Sequence, residues 1–225
     1  MEQSKFDLLT GRENSLLGNV DGHQLQKEVI TAFKGMQKKA LADGVNIKIV
    51  SSFRNFERQQ IIWDAKVSGE RKVLDDHGEL VDLAKLSELK KVEAIMRFSA
   101  LPGASRHHWG TEIDVFDGNI KEKRDVQLTP QESIEDFRLL NQWLDENMND
   151  FGFYRPYAND LGGVSPELWH LSYAMISQDY YLEYNIECFK KNIEISNIAL
   201  NAVIKDNLEY LFEKFVLNVE NPLGA

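Results

Sequence analysis

Ser105-Arg106-His107-His108-Trp109-Gly110-Thr111-Glu112-Ile113-Asp114-Val115-Phe116 gathers two imidazoles and two carboxylates around a glycine and closes on a β-branched run. The stretch Thr111 to Phe116 reads as a strand, its side chains alternating between two faces. The Leu101-Pro102-Gly103-Ala104 segment ahead of it reads as a loop. Further on, Pro166-Glu167-Leu168-Trp169-His170 leads into a second strand candidate, Leu168 to Tyr173. A catalytic zinc centre takes about three protein ligands from His, Asp, Glu or Cys and keeps one position open for water. His107, Asp114 and His170 can supply that set. Glu167 stands close enough in sequence to His170 to serve as the general base beside it.

Taken singly, these residues have blander readings: a histidine beside a glycine is usually a loop residue, and a lone glutamate is usually solvated. The two motifs together are what point to a metal. His23 and His77 are assigned to the surface or loop class. With the segment taken as extended, where neighbours face opposite ways, His108 is expected to support a ligand or to face solvent.

Working outward, Leu25, Val29, Ala32, Phe33, Met36 and Ala40 recur at helical spacing, with Asp43-Gly44 closing the helix. Val45 to Val50 alternates like a strand, and Asn55 is placed as the N-cap of a helix through Ile61, Ile62 and Ala65. Leu83 to Phe98 reads as one helix. Thr129-Pro130-Gln131-Glu132 forms a capping box opening another, with Ile134, Phe137, Leu140, Leu144 and Met148 on one face. Phe151 to Tyr154 is a further strand candidate, followed by a turn-prone stretch from Asn159 to Pro166. From Gln178 the chain is helical, with an apolar stripe through Ile195, Ile198, Ala199, Ala202, Val203, Leu208, Leu211, Phe212 and Phe215. The expected class is α+β: a small antiparallel sheet carrying the zinc site, flanked by helices, with a C-terminal helical extension. The division expected is a core over 1–176 and an extension over 177–225 packed on it.

The bulk numbers narrow the function. The 225 residues are 43% hydrophobic, enough for one good core. A net charge of -10 argues against nucleic acid as a partner, since that needs Lys and Arg to displace counterions. One cysteine, Cys188, excludes a disulfide framework and a Cys-based zinc cluster, and is read as helix packing. No apolar run is long enough for a transmembrane segment. Met1 to Val20 lacks the pattern of a secretory signal. The expectation is a cytoplasmic protein, or a periplasmic or wall-associated one whose export signal has been removed.

The string Ser105-x-His107-x-x-Gly110-x-x-x-Asp114, followed by Glu167-x-Trp169-His170-x-x-Tyr173, resembles the zinc D-alanyl-D-alanine carboxypeptidases of the vancomycin-resistance (VanY) type. These group with lysostaphin-like enzymes and the zinc fold of hedgehog. The resemblance covers roughly residues 20 to 176. It implies one Zn2+ per chain held by His107, Asp114 and His170, with Glu167 as catalytic base. Ser51-Ser52-Phe53-Arg54-Asn55 with Gln59 resembles the family's substrate-binding segment, which implies that Arg54 binds substrate or the developing oxyanion. Read from the residues alone, Arg54 is as well explained by a surface salt bridge. Ser105, Trp109, Trp169 and Tyr173 are expected to contact substrate, with Phe53 walling the pocket, although aromatics at such positions are more often core.

Three features depart from the family: Glu112, the C-terminal helices, and the missing export signal, which a cytoplasmic peptidase acting on recycled wall fragments would reconcile. Position 112 is usually small there. Glu112 here can support a ligating histidine, face away, or select a cationic substrate group. The C-terminal helices have no counterpart in the core; they are either a packed appendage, a dimer contact or a lid that narrows the cleft. The expected activity is metal-activated hydrolysis of a peptidoglycan stem peptide or muropeptide at its D-Ala-D-Ala end. The alternatives are L,D-carboxypeptidase or L-Ala-D-Glu endopeptidase action on the same stem, and, further behind, a zinc-containing binding protein. Loops 66–80 and 118–128 are expected to set that choice.

Overall fold

The structure, a computed structural model, describes residues 1–120 and 126–221. The 121–125 part of the loop expected to tune specificity lies outside the described residues. Helix α1 (Gln3–Leu9) leads into a hairpin, β1 (Leu17–Val20) and β2 (His23–Gln26), then α2 (Lys27–Ala42), β3 (Ile47–Ser51) and α3 (Phe56–Val67). After α4 (Glu88–Met96) come β4 (Glu112–Asp117), α5 (Pro130–Ile134), α6 (Arg138–Asn147), β5 (Phe153–Tyr154) and β6 (His170–Tyr173). The chain ends in α7 (Ala174–Glu183), α8 (Ile186–Ile195), α9 (Asn201–Asp206) and α10 (Leu208–Phe212). No helix of the described residues is long and apolar enough to cross a membrane.

The main sheet has four strands in the order β3-β4-β6-β5, all antiparallel. Its centre is set by the pairs Glu112↔Ser172, Ile113↔Leu171 and Asp114↔His170. Strand side chains alternate, so Glu112, Asp114, His170 and Ser172 share one face. Ile113, Val115 and Leu171 take the other, where they pack with Val29, Phe33 and Met36 of α2 and Leu140 and Leu144 of α6. This ladder divides the sheet into a polar working face and an apolar structural face. A one-residue bulge in β3 between Ile49 and Ser51 ends the alternation there.

A second apolar cluster unites both ends of the sequence. Phe6 and Leu9 of α1, Trp63 of α3 and Val92 and Ile95 of α4 pack with Phe189, Ile193, Leu211 and Phe212 from the C-terminal helices. The Trp63 indole donates to the Ala199 carbonyl at 2.9 Å, and Arg12 reaches Asn192 at 2.9 Å and Ser196 at 3.0 Å.

Local signals mostly act as expected. Asn55 accepts from the Arg58 amide and Thr129 from that of Glu132. Gly44 adopts φ +89 after α2, a conformation suited to glycine. Leu25, read as opening the stripe of α2, lies in β2 instead, because the hairpin runs to Gln26, and three further helix readings need correction. Leu83 to Phe98 is a short 3-10 turn at Leu83–Lys85 followed by α4, because Asp82 caps the turn through the Ala84 amide and Leu86 is extended. The helix opened by Thr129 breaks after Ile134, where the Phe137 amide bonds Glu132 and turns the Phe137 ring onto Phe116, leaving Ile134 65% exposed. The last helical stretch begins at Ala174 rather than Gln178. It is interrupted at Asn185, which caps α8, and Ile195 is exposed.

Candidate metal centre

Asp114 and His170 come from directly paired positions of β4 and β6, and His107 from the 3-10 turn Arg106–Trp109 that enters β4. The turn corrects the extended reading of this segment. It ends at Gly110, φ +67, where a Cβ would lie 2.5 Å from Leu17 of the hairpin.

The three ligand atoms lie within 4.8 Å of one another, and all three residues are buried. His107 Nε2 is 3.3 Å from Asp114 Oδ2, and His170 Nδ1 is 3.1 Å from Asp114 Oδ1. Each imidazole is held through its other nitrogen. His107 Nδ1 meets the Ser52 carbonyl at 2.8 Å, and His170 Nε2 meets Glu112 Oε2 at 2.8 Å. Metal-ligating histidines are oriented in this way by a carbonyl or carboxylate on the far ring nitrogen. Apart from the His170 Nδ1 contact, Asp114 Oδ1 is buried with no well-directed hydrogen bond among the described residues, and such an atom needs compensation. Two inward-facing imidazole nitrogens and an underused carboxylate fit a divalent ion, and this donor set suits zinc better than the oxygen-seeking cations.

Burial works to raise the Asp114 carboxyl, but His107 and His170 hold it far below the usual range. Burial and the Arg54 charge push His107 down, towards the neutral ligand form. His170 goes the other way: burial lowers it, yet Asp114 and Glu112 together lift it to about 9. Glu112 is itself pulled down to about 2, against its burial, chiefly by Arg106 and His170. The Arg106 guanidinium reaches Glu112 Oε1 at 3.2 Å, the Tyr154 hydroxyl at 2.9 Å and Ser172 at 2.8 Å. Of the three readings open for Glu112, the one realised is a support for a histidine; a buried carboxylate paired with Arg106 does not face a substrate.

Glu167 Oε2 lies 3.5 Å from His170 Nδ1, and burial raises its carboxyl to about 7. Arg54 lines the same cavity. Its amide donates to the His107 carbonyl at 3.2 Å, its carbonyl accepts from His108 Nδ1 at 2.5 Å, and its Nε is buried without a partner. Among the described residues no carboxylate forms an ion pair with it, so the surface salt bridge reading is set aside. His108 is buried rather than solvent-facing. Its Nε2 accepts from the Gly103 amide, and burial depresses it to about 3, so it is a neutral strap on Arg54. Gly11, φ +75, comes so close that a Cβ there would meet His108 Nδ1 at 2.3 Å.

The cavity in front of these groups has a volume of about 1000 Å³. Ser105, Trp109, Trp169 and Phe53 line it. Gln59 and Tyr173 do not: Gln59 is buried and donates to the Ala100 carbonyl at 2.7 Å, and Tyr173 packs on Phe153. His23, read as a surface residue, is half-buried and also lines the cavity. Sequence reasoning missed Tyr157, whose ring stands edge-on to His170 with centroids 5.0 Å apart and whose carbonyl accepts from the Glu167 amide. A lone tyrosine in a proline-containing loop gives no periodic signal.

The VanY family model, D-alanyl-D-alanine carboxypeptidase, matches residues 22–176. A D-alanyl-D-alanine carboxypeptidase of Enterococcus faecalis (strain ATCC 700802 / V583) is 30% identical over 187 residues, which are 78% of this chain and 60% of that protein. Among solved structures, VanYB in complex with D-alanine-D-alanine is similar at 25% identity and a TM-score of 0.53, covering 80% of this chain and 89% of that one. A glutamate-to-alanine mutant of the D,D-pentapeptidase VanY, from the VanB-type resistance cassette and in complex with Zn(II), is similar at 26% identity and a TM-score of 0.54. That match covers 76% of this chain and 86% of the other.

Proposed function

This chain belongs to the VanY family of D-alanyl-D-alanine carboxypeptidases, and on that premise we propose that it removes a terminal D-alanine from peptidoglycan stem peptides with Zn2+ as its cofactor. The observation that carries the reading is the pair of inward-facing imidazole nitrogens, His107 Nε2 and His170 Nδ1, converging on Asp114 with their far nitrogens tied to Ser52 and Glu112. Zn(II) in a VanY relative and D-alanine-D-alanine in another support the cofactor and the substrate class.

A zinc ion bound by these residues supplies a Lewis acid that acidifies water and polarises a carbonyl. The chain's own groups then divide the work. Glu167, with its carboxyl near 7, takes a proton from the attacking water and delivers it to the departing amine. Arg54 offers a planar fork of donors to the substrate's terminal carboxylate or to the oxyanion, and His107 and His108 fix its backbone. Ser105, Trp109 and Trp169 give the cavity a polar edge and two flat apolar walls.

The test is mass spectrometry of a stem pentapeptide ending in D-Ala-D-Ala after incubation with zinc-loaded protein. Loss of one alanine is the expected product. Internal fragments would point to endopeptidase action, and cleavage only of a tetrapeptide control to an L,D-carboxypeptidase. If neither peptide changes, the hydrolase reading fails.

A further inference from the structure

The charges between Arg54 and Lys72 are sorted. In this segment Arg54, Arg58, Lys66, Arg71 and Lys72 all line the cavity, whereas Glu57, Asp64 and Glu70 do not. Asp64 points instead to the C-terminal helices, accepting from the Ala199 amide at 3.0 Å. In a chain with 36 acidic against 26 basic residues, such segregation is unexpected from composition. Among the described residues, the one acid lining the cavity apart from Asp114 and Glu167 of the metal centre is Asp75, and its Oδ1 is engaged by the His77 and Glu79 amides.

Lys66 is the innermost member of this wall after Arg54. It is half-buried, its Nζ donates to the Ser99 hydroxyl at 2.6 Å, and among the described residues no carboxylate forms an ion pair with it. It feels the charges of Glu167, Arg71 and Arg54, and burial lowers it to about 8. An ammonium held among cations away from bulk water is stabilised by an arriving anion. Arg54 is committed to the substrate's terminal carboxylate or oxyanion, and a departing alanine carries no other charge. A second anion can therefore come only from the part of the peptide retained after cleavage.

We propose that Lys66 and Arg71, with Arg58 and Lys72 at the rim, form a second anion subsite that selects peptides bearing a free carboxylate on the amino side of the D-Ala-D-Ala unit. The subsite rests on the carboxypeptidase reading and refines it: the preferred substrate is a dicarboxylate. A charge-assisted contact of this kind corresponds to about a tenfold or greater preference.

The experiment compares kcat/KM on N-acetyl-L-Glu-D-Ala-D-Ala with its isosteric L-Gln counterpart, using zinc-loaded full-length protein at low and high salt. The expected result is a Glu-over-Gln ratio of about ten or more, shrinking with salt. That ratio should fall towards one in Lys66→Met, recover in Lys66→Arg, and drop part-way in Arg71→Gln, an exposed position that keeps folding out of the comparison. A ratio near one in the unaltered protein, or one that neither Lys66→Met nor Arg71→Gln changes, would overturn the subsite while leaving the carboxypeptidase intact. Failure to cleave either peptide would remove both readings together.

Discussion

His170 Nε2 lies 2.8 Å from Glu112 Oε2, at a carboxylate that is 0% exposed and is neutralised from behind by Arg106. The imidazole that offers Nδ1 to a metal is thus fixed in ring orientation by a residue that never touches the metal. Replacing Glu112 by Gln keeps the shape and removes the charge. Zinc affinity, read by competition with a chelator, should fall about 10–100-fold. Glu112→Ala should also lower stability by about 3 kcal/mol, because Arg106 is left buried without its counter-charge. Unchanged affinity in both variants would show that the contact is incidental.

Glu167 and His170 should separate binding from turnover. Glu167→Ala is expected to retain one zinc per chain and to lose about 10²–10⁴-fold in kcat, whereas His170→Ala loses metal and activity together. Metal content by elemental analysis, set beside the rate, checks both. Full activity in Glu167→Ala would sink its assignment as the base.

Acid should weaken the fold through Glu93. Burial works to raise this carboxyl, but Lys90, Tyr210 and Lys214 hold it down to about 2, from an ordinary 4.5. A depressed folded-state value means the stabilisation is complete above about 4.5 and is lost as pH falls towards about 2. Because the ammonium partners are solvated, about 1 kcal/mol is at stake. Urea denaturation of Glu93→Gln and the parent should therefore differ at pH 7 and converge near pH 2.

Removing residues 177–225 should unfold the remainder rather than trim it. Trp63, Phe6 and Ile95, all 0% exposed, would lose their packing against Phe189, Ile193, Leu211 and Phe212. Circular dichroism of the truncated chain is expected to show no cooperative thermal transition. A truncated chain that melts cooperatively would make the C-terminal helices a dispensable appendage.

The candidate ligand trio is legible because a metal demands particular residue types at particular spacings, and because Thr111–Phe116 and Leu168–Tyr173 alternate as strands do. What supports the trio was less visible. The Ser52 carbonyl that orients His107 is backbone and carries no residue-type signal. The solvent-facing alternative for His108 fails because a 3-10 turn spaces successive side chains about a third of a turn apart, so both histidines are buried where an extended segment would split them. The β1–β2 hairpin is absent from the sequence reading although Asp21-Gly22 joins its strands with both residues at positive φ, a recognised turn signal. Cys188 is buried in a helix as its neighbours suggested. The sorting of cations towards the cavity needs the path of α3 and the chain after it, which spacing alone does not supply.

The pairing of Asp114 with His170 also bears on assembly. Were β6 to slip by one residue along β4, His170 would exchange faces with Leu171: the imidazole would enter the apolar layer and a leucine would stand beside Asp114. A misregistered molecule could not gather the trio. Capacity for the ion is therefore a readout of correct strand registration, and a zinc-affinity step would sort well-folded from misfolded molecules in a preparation.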